Sequence, residues 1–166
     1  MKTAEVIAVM GNDISTDEIY PGRFMATVLP SETPRFCFAD DAELNNKLAG
    51  GTVAVGSVIV GGANFGCGSS REQAASTLKG HGLIIVAKSF ARIFLQNAIN
   101  LGLQTVVCPE IEAQAGDTLE ITDDKVINKS SGKSFEVIPH SKTRQEIIDA
   151  GGLIPYTRKR LIAQEA

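Results

Sequence analysis

The segment Gly61-Gly62-Ala63-Asn64-Phe65-Gly66-Cys67-Gly68-Ser69-Ser70-Arg71-Glu72 brings together a glycine-rich turn, two adjacent hydroxyls and a guanidinium at the start of a helical pattern. Such a turn aims backbone N–H groups at one point, and a helix start adds partial positive charge there, so the chemistry is anion binding. It is not a Walker loop, because no Gly-Lys-Ser/Thr follows, and Gly66-Cys67-Gly68 lacks the third glycine of the dinucleotide fingerprint. Nor does it spell Gly-x-Ser-x-Gly, the nucleophile elbow of α/β-hydrolases. What remains is a site for a carboxylate or a small phosphate, with Arg71 able to grip a carboxylate through two parallel hydrogen bonds. The plainer alternative is a tight turn whose serines only cap the next helix. Cys67 sits inside the turn, but His81 and His140 both fall in expected turns and neither is placed to activate it, so the thiol reads as a packing residue.

A second cluster, Gly11-Asn12-Asp13-Ile14-Ser15-Thr16-Asp17-Glu18-Ile19-Tyr20-Pro21, holds three acids and two hydroxyls. It follows a strand, and α/β sheets present ligands beyond the carboxyl ends of their strands. By composition alone the same residues read as turn formers.

The elements that must position these residues follow from periodicity. Val6 to Met10 predicts a first strand running into a loop over 11–20; Gly22 starts a short helix, and 28–39 is irregular between prolines. Asp40 to Leu48 predicts a helix stopped by Gly50-Gly51, and Thr52 to Val60 a strand that feeds the glycine turn. Ser69 with Glu72, and Ser70 with Gln73, each satisfy a capping box, which predicts a helix starting at one of the serines and reaching about Lys79. Strand Leu83–Ala87, helix Ser89 to about Asn97 and strand Gln104–Cys108 complete a βαβαβ run. Phe90, Ile93, Phe94 and Ile99 are expected to form the sheet-facing side of that second helix. Short strands at 118–122, 125–128 and 134–138 read as a β-meander. Thr143 with Glu146 caps a last helix with Ile147 and Ile148 buried and Gly151-Gly152 as its stop, and the tail to Ala166 is mixed. The expected organisation is one α/β domain over 1–166.

Composition narrows the function. Sixteen Lys plus Arg against nineteen Asp plus Glu leave a net charge of −3 with no dense basic stretch, which argues against a nucleic-acid partner. Three widely spaced cysteines match neither a disulfide framework nor a CxxC knuckle and suggest a reducing, cytoplasmic setting. Apolar runs such as Leu83 to Ala87 fall far short of the roughly 20 residues that span a bilayer, and no signal-peptide pattern precedes them.

Three blocks then carry a resemblance: Asn12 to Pro21, Asn64 to Glu72, and Ala87 to Phe94 continuing through Asn97-Ala98-Ile99-Asn100-Leu101-Gly102-Leu103. In order and spacing, over nearly the whole chain, they resemble the small subunits of 3-isopropylmalate dehydratase and its relatives, which correspond to the swivelling C-terminal domain of aconitases. The resemblance implies a three-layer β/β/α swivelling domain and a hydro-lyase split over two chains. A large subunit would hold a four-iron four-sulfur cluster and this chain would hold no metal of its own. It implies Ser69 as the base, Arg71 as the substrate-carboxylate clamp and Asp17 as part of the same polar network, with Ser70, Asn64 and Thr16 beside the substrate. The loop after Pro21 is expected to approach the substrate's variable group. Phe24, Met25 and Ala26 there favour an alkyl branch, while Arg23 could supply a competing charge; the plainer alternative is that Phe24 and Met25 only pack into the core as on any short amphipathic helix. The substrate implied is a hydroxy-dicarboxylate, foremost isopropylmalate in leucine biosynthesis. Homoaconitate, dimethylmalate and methylcitrate-type substrates stay open, as does a stand-alone carboxylate-binding module. Two departures stand out: Gln73 where relatives often carry histidine, and Leu95-Gln96 where many carry an aromatic-Arg pair.

Overall fold

Alternation of side chains along four parallel strands builds the frame of the computed structural model, which describes residues 1–165. β1 (Lys2–Val9), β2 (Val58–Gly61), β3 (Ile84–Ala87) and β4 (Gln104–Val107) lie side by side in parallel. The antiparallel meander β5 (Thr118–Ile121), β6 (Lys125–Asn128) and β7 (Ser134–Glu136) continues the sheet from the other edge of β1, giving the order β4-β3-β2-β1-β5-β6-β7. β1 is the shared strand: Lys2–Glu5 pair with β5, and Val6–Val9 pair with β2.

Ile7, Ile59, Ile85 and Ala87 point to one face, where they pack on the helices α2 (Ala42–Ala49), α3 (Glu72–Gly80) and α4 (Arg92–Leu101) through Leu44, Leu48, Ala74, Ala75, Leu78, Phe94 and Ala98. Val6, Val58, Val60, Ile84 and Val86 point to the other face and pack on Leu119, Ile121 and Val126 of the meander. A bridge from Val107 to Ile138 (Ile138 N to Val107 O, 2.8 Å) draws the end of the meander back to β4, so the sheet curls around that second core. Helices, parallel half-sheet and meander are thus the three layers expected of a β/β/α domain. The alternation slips between Val6 and Ala8, where the register with β2 shifts, and Ala8 joins Ile7 on the helical side.

Several expected boundaries move. The segment 52–57 is not strand: Gly51 and Gly56 both have positive φ (67° and 89°), and Val55 is 88% exposed. The loop 11–20 contains a helical turn, α1 (Thr16–Ile19), and the segment after Pro21 is a single 3-10 turn, Gly22–Phe24. Ile93 does not face the sheet; it is 47% exposed, while Phe94 is buried and Ile99 packs with Ile147 and Ile148 of α5 (Lys142–Asp149). The cap of α5 is Ser141, not Thr143. The tail forms a helix, α6 (Leu153–Glu165), rather than a mixed segment; Ala166 lies outside the described residues. No helix among the described residues is long and apolar enough to cross a membrane.

Cys37 and Cys108 are buried in the two opposite cores, and burial pushes their thiols up to about 12 and about 11. Cys67 is partly exposed. Alkylation of the native chain by a small thiol reagent is therefore expected to modify Cys67 alone, with the other two reacting only after unfolding; mass spectrometry of the labelled peptides checks this. Equal labelling of all three would mean that the cores open readily.

Candidate active site

The carboxyl ends of β1, β2 and β3 each run into a loop, and backbone hydrogen bonds sew the three loops together. Gly62 N donates to Gly11 O (3.0 Å), Asp13 N to Ala63 O (2.9 Å) and Gly66 N to Ile14 O (2.7 Å). Phe65 N donates to Ser89 O (3.0 Å), Asn64 N to Ser89 Oγ (2.8 Å) and Ala63 N to Asn12 Oδ1 (2.8 Å). The N–H groups of 62–66 are thus spent within the chain and do not converge on a ligand, contrary to the expectation for the turn as a whole. Those of Ser69 and Ser70 donate to no acceptor among the described residues.

The turn is seated on aromatic rings. Phe65 meets Phe94 edge to face at 5.5 Å, and Phe90 stacks on Phe94 at 6.2 Å. Gly66 has φ +83°, and a Cβ there would lie 2.1 Å from Phe94 Cγ, so only glycine lets the chain pass over the ring. Asn64 and Asp13 also take positive φ (57° and 56°), and Asn64 Nδ2 donates to Asp13 Oδ1 (2.8 Å). Left-handed backbone costs about 1 kcal/mol at each, which the burial of Phe65 and Phe94, about 1.5–3 kcal/mol each, offsets.

Residues 15–18 satisfy a capping box that the reading of this stretch as turn formers overlooks. Ser15 Oγ accepts from Glu18 N (3.1 Å), and Glu18 Oε1 accepts from Ser15 N (2.9 Å). The resulting turn of α1 brings Thr16 and Asp17 up to the serines. Thr16 N donates to Cys67 O (2.7 Å), and Thr16 Oγ1 lies 3.1 Å from Ser69 O and 3.2 Å from Ser69 Oγ.

Neither serine caps α3. The helix starts at Glu72, its N-cap is Arg71 with extended backbone, and no side chain closes the cap. The guanidinium of Arg71 instead reaches back to α1: Nη1 donates to the Asp17 carboxylate and to Tyr20 O (3.2 Å). Its Nε is buried without a partner among the described residues. Asp17 also accepts from Gly22 N (2.9 Å). The Arg71 hydrogen bond first, and the Gly22 N–H second, hold its carboxyl below the usual carboxylate range, so Asp17 is an anion at neutral pH.

Ser69, Arg71, Asp17, Ser70 and Thr16 therefore gather at one place. Asn97 joins them: its Nδ2 donates to Ser70 O (3.1 Å). Its place in the third motif block was the only sequence signal for it. Asn64 is exposed on the same turn and engaged with Asp13. In the loop after Pro21, Phe24 stacks on Phe36 (centroids 4.0 Å apart) and packs on the core, in line with the packing alternative rather than with a substrate-reading role. Arg23 is turned to an exposed salt bridge with Asp40, and Met25 is 47% exposed. Gln73, one of the departures, donates from Nε2 to Met25 O (3.2 Å) and ties α3 to this loop. Leu95 packs with Ile99, Ile147 and Ile148, and Gln96 donates to Asn100 Oδ1 (3.1 Å) on its own helix. Cys67 Sγ donates to Asp13 O (3.2 Å), so the thiol braces the loops rather than filling a core. Among the described residues no three His, Cys, Asp or Glu side chains converge in a way that could hold a metal ion.

The aconitase C-terminal domain family model matches residues 51–111, which include β2, the serine turn, β3 and β4. The 3-isopropylmalate dehydratase small subunit of Moorella thermoacetica is 44% identical over 91% of this chain and 92% of its own length. The methanogen homoaconitase small subunit of Methanocaldococcus jannaschii is 41% identical over 93% and 90%. The crystal structure of 3-isopropylmalate dehydratase from Methanocaldococcus jannaschii superposes with a TM-score of 0.87 at 38% identity, covering 99% of this chain and 98% of that one. With such identity along almost its entire length and the same fold, the chain belongs to the 3-isopropylmalate dehydratase small-subunit family of the aconitase superfamily.

Proposed function

We propose that this chain is the small subunit of a two-chain hydro-lyase that withdraws water from a hydroxy-dicarboxylate and returns it, interconverting 2- and 3-isopropylmalate in leucine biosynthesis. The observation that carries the reading is the pair of serines that cap no helix, beside an arginine already engaged with a carboxylate. Ser69 Oγ takes the proton from the substrate carbon, Arg71 grips a substrate carboxylate, and Asp17 fixes the guanidinium. Ser70 and Asn97 hold the turn and its hydroxyl at the substrate. A serine is a poor base at its ordinary proton affinity and needs donors and positive charge around the alkoxide. The N–H groups of Ser69 and Ser70, together with Arg71, are the donors at hand.

The site is open: Asp17, Asn64, Gly68, Ser69 and Ser70 are all exposed. Proton abstraction from carbon needs a dry, walled site, and a second chain closing over this face would supply the wall. Aconitase-family dehydratases use an iron–sulfur cluster. The donors of this chain do not fit one, since its three cysteines lie in two separate cores and on the serine turn. The cluster would then sit on the large subunit, where it would supply a Lewis acid for the leaving hydroxyl.

Identity alone does not select the substrate, because chains named for two different substrates match at 44% and 41%. The loop beside Asp17 does favour one class. Met25 presents an apolar side chain there, and the charge of Arg23 is taken up by Asp40. A carboxylate on the variable group would lose hydration without gaining a partner.

The test mixes the chain with an anaerobically reconstituted large subunit across a panel of hydroxy-dicarboxylates. Turnover is expected only in the mixture, with alkyl-substituted malates preferred over homoaconitate-like tricarboxylates. Met25→Arg should move that preference toward the tricarboxylates by about 1–3 kcal/mol, the scale of a charge-assisted hydrogen bond. Activity of this chain alone, or none in the mixture with any substrate, overturns the proposal; an unchanged ratio in Met25→Arg removes the loop from substrate choice.

A further inference from the structure

The Thr16 hydroxyl faces two oxygens of one residue and has a single proton for them. Oγ1 lies 3.1 Å from Ser69 O and 3.2 Å from Ser69 Oγ. While Thr16 donates to the carbonyl, the contact between the two hydroxyls must be made by the proton of Ser69, and both groups are neutral. Once Ser69 has lost its proton, the only hydrogen bond available across that gap runs from Thr16 to the alkoxide. Rotation about the Thr16 Cβ–Oγ1 bond is enough to move the proton from one acceptor to the other.

Thr16 is fixed for this task. It is 1% exposed, opens α1 behind the Ser15–Glu18 capping box, and is pinned through its N–H to Cys67 O. At that burial it meets substrate only through Ser69, so the expectation that it contacts substrate directly gives way to another role. We infer that Thr16 is a positioning residue that sets the proton affinity of Ser69, donating to the serine carbonyl in the resting state and to the alkoxide when the base is ionised.

The inference rests on the reading of Ser69 as the base. The other charged or titratable groups on the packed elements are engaged or lie at helix heads. Asp17 is bound to Arg71 and Gly22 N, Glu18 to Ser15 N, and Asp13 to Asn64. Cys67 donates to Asp13 O, while Glu72 and Arg92 open α3 and α4.

The experiment follows kcat against pH in the assembled two-chain enzyme for wild type, Thr16→Val, Thr16→Ser and Ser69→Ala. Removing a donor from an alkoxide raises its proton affinity. The acid limb of kcat in Thr16→Val should therefore move up by about one to two pH units, with KM changed by no more than about twofold and the rate recovering at high pH. Thr16→Ser keeps the hydroxyl and should restore the wild-type limb. A loss of kcat equal at every pH, with the limb in place, would mean that Thr16 is merely structural and overturns the inference. Wild-type turnover in Ser69→Ala overturns instead the reading of the base beneath it. Should the valine variant not assemble, Thr16→Ala, which leaves space where the methyls would press, carries the same test with the same outcomes.

Discussion

Replacement of Ser69 by alanine is expected to lower kcat by about 10²–10⁴-fold, the usual effect of deleting a general base, while the chain folds as before. The two halves of that expectation have separate causes. Ser69 is exposed, its Oγ hydrogen-bonds among the described residues to Thr16 alone, and it caps no helix, so its hydroxyl contributes little to stability. Surface substitutions of this kind stay within about 0.5 kcal/mol. A serine that served only as a helix cap would give the opposite pattern: a loss of about 0.5–2 kcal/mol in stability with turnover untouched. Thermal denaturation of the chain and kcat of the reconstituted pair therefore separate the two roles on one variant. Near wild-type turnover would pass the base role to Ser70, the next residue and likewise exposed, and Ser70→Ala would then show the large loss.

The serine turn shows where sequence reasoning reaches and where it stops. The βαβαβ run and the meander were legible because Val58–Val60, Ile84–Val86 and Leu119–Ile121 are short β-branched or alternating runs bounded by turn residues, and no competing signal contradicts them. Of the strand expected over Thr52–Val60 only the end from Val58 forms, because Gly56 in left-handed conformation turns the chain within it, and β propensity at Val53 and Val55 is too weak to resist. Capping rules erred in both directions. Ser69 and Ser70 satisfy the box in sequence, yet the glycines before them carry the chain in at an angle that leaves Arg71 as the cap. Ser15 and Glu18 satisfy the same box and do form it, in a stretch whose many acids and hydroxyls suggested a loop. The spacing rule cannot distinguish these cases, because what decides is the path of the preceding residues, set by contacts such as Gly66 on Phe94 and Thr16 on Cys67. The site residues were reached through motif resemblance. Their convergence depends on three strand ends lying side by side, which periodicity implies only once the sheet is known to be parallel. Asn97 illustrates what remains hidden: its hydrogen bond to Ser70 O crosses 27 residues of chain and has no local signature.

Substitution of Arg71 by lysine keeps the positive charge and is nonetheless expected to reduce kcat/KM by on the order of 10²-fold, the equivalent of losing one charge-assisted hydrogen bond to a carboxylate worth about 3 kcal/mol. The guanidinium divides its donors: Nη1 is committed to Asp17 and Tyr20 O and Nε is buried, which leaves Nη2 for a substrate carboxylate. An ammonium is a single point charge and cannot hold Asp17 and grip a planar carboxylate in a fixed orientation at once. Asp17 is expected to stay out of the proton chemistry. Its carboxyl is held below the usual range by Arg71 and by Gly22 N–H, so its contribution to stability is present above the ordinary carboxylate pKa and is lost only as pH falls through the lowered one. An acid limb in kcat nearer neutrality therefore belongs to another group. Asp17→Asn retains an acceptor for Gly22 but loses the charge that anchors Arg71, and a smaller fall in kcat/KM, expressed mainly in KM, is the expected outcome. The decisive comparison sets a hydroxy-dicarboxylate against its mono-amide. Wild type should strongly prefer the dicarboxylate, and Arg71→Lys should lose most of that preference. If the lysine variant discriminates as well as wild type, the substrate carboxylate is bound elsewhere, and Arg71 serves only to lock α1 against the head of α3.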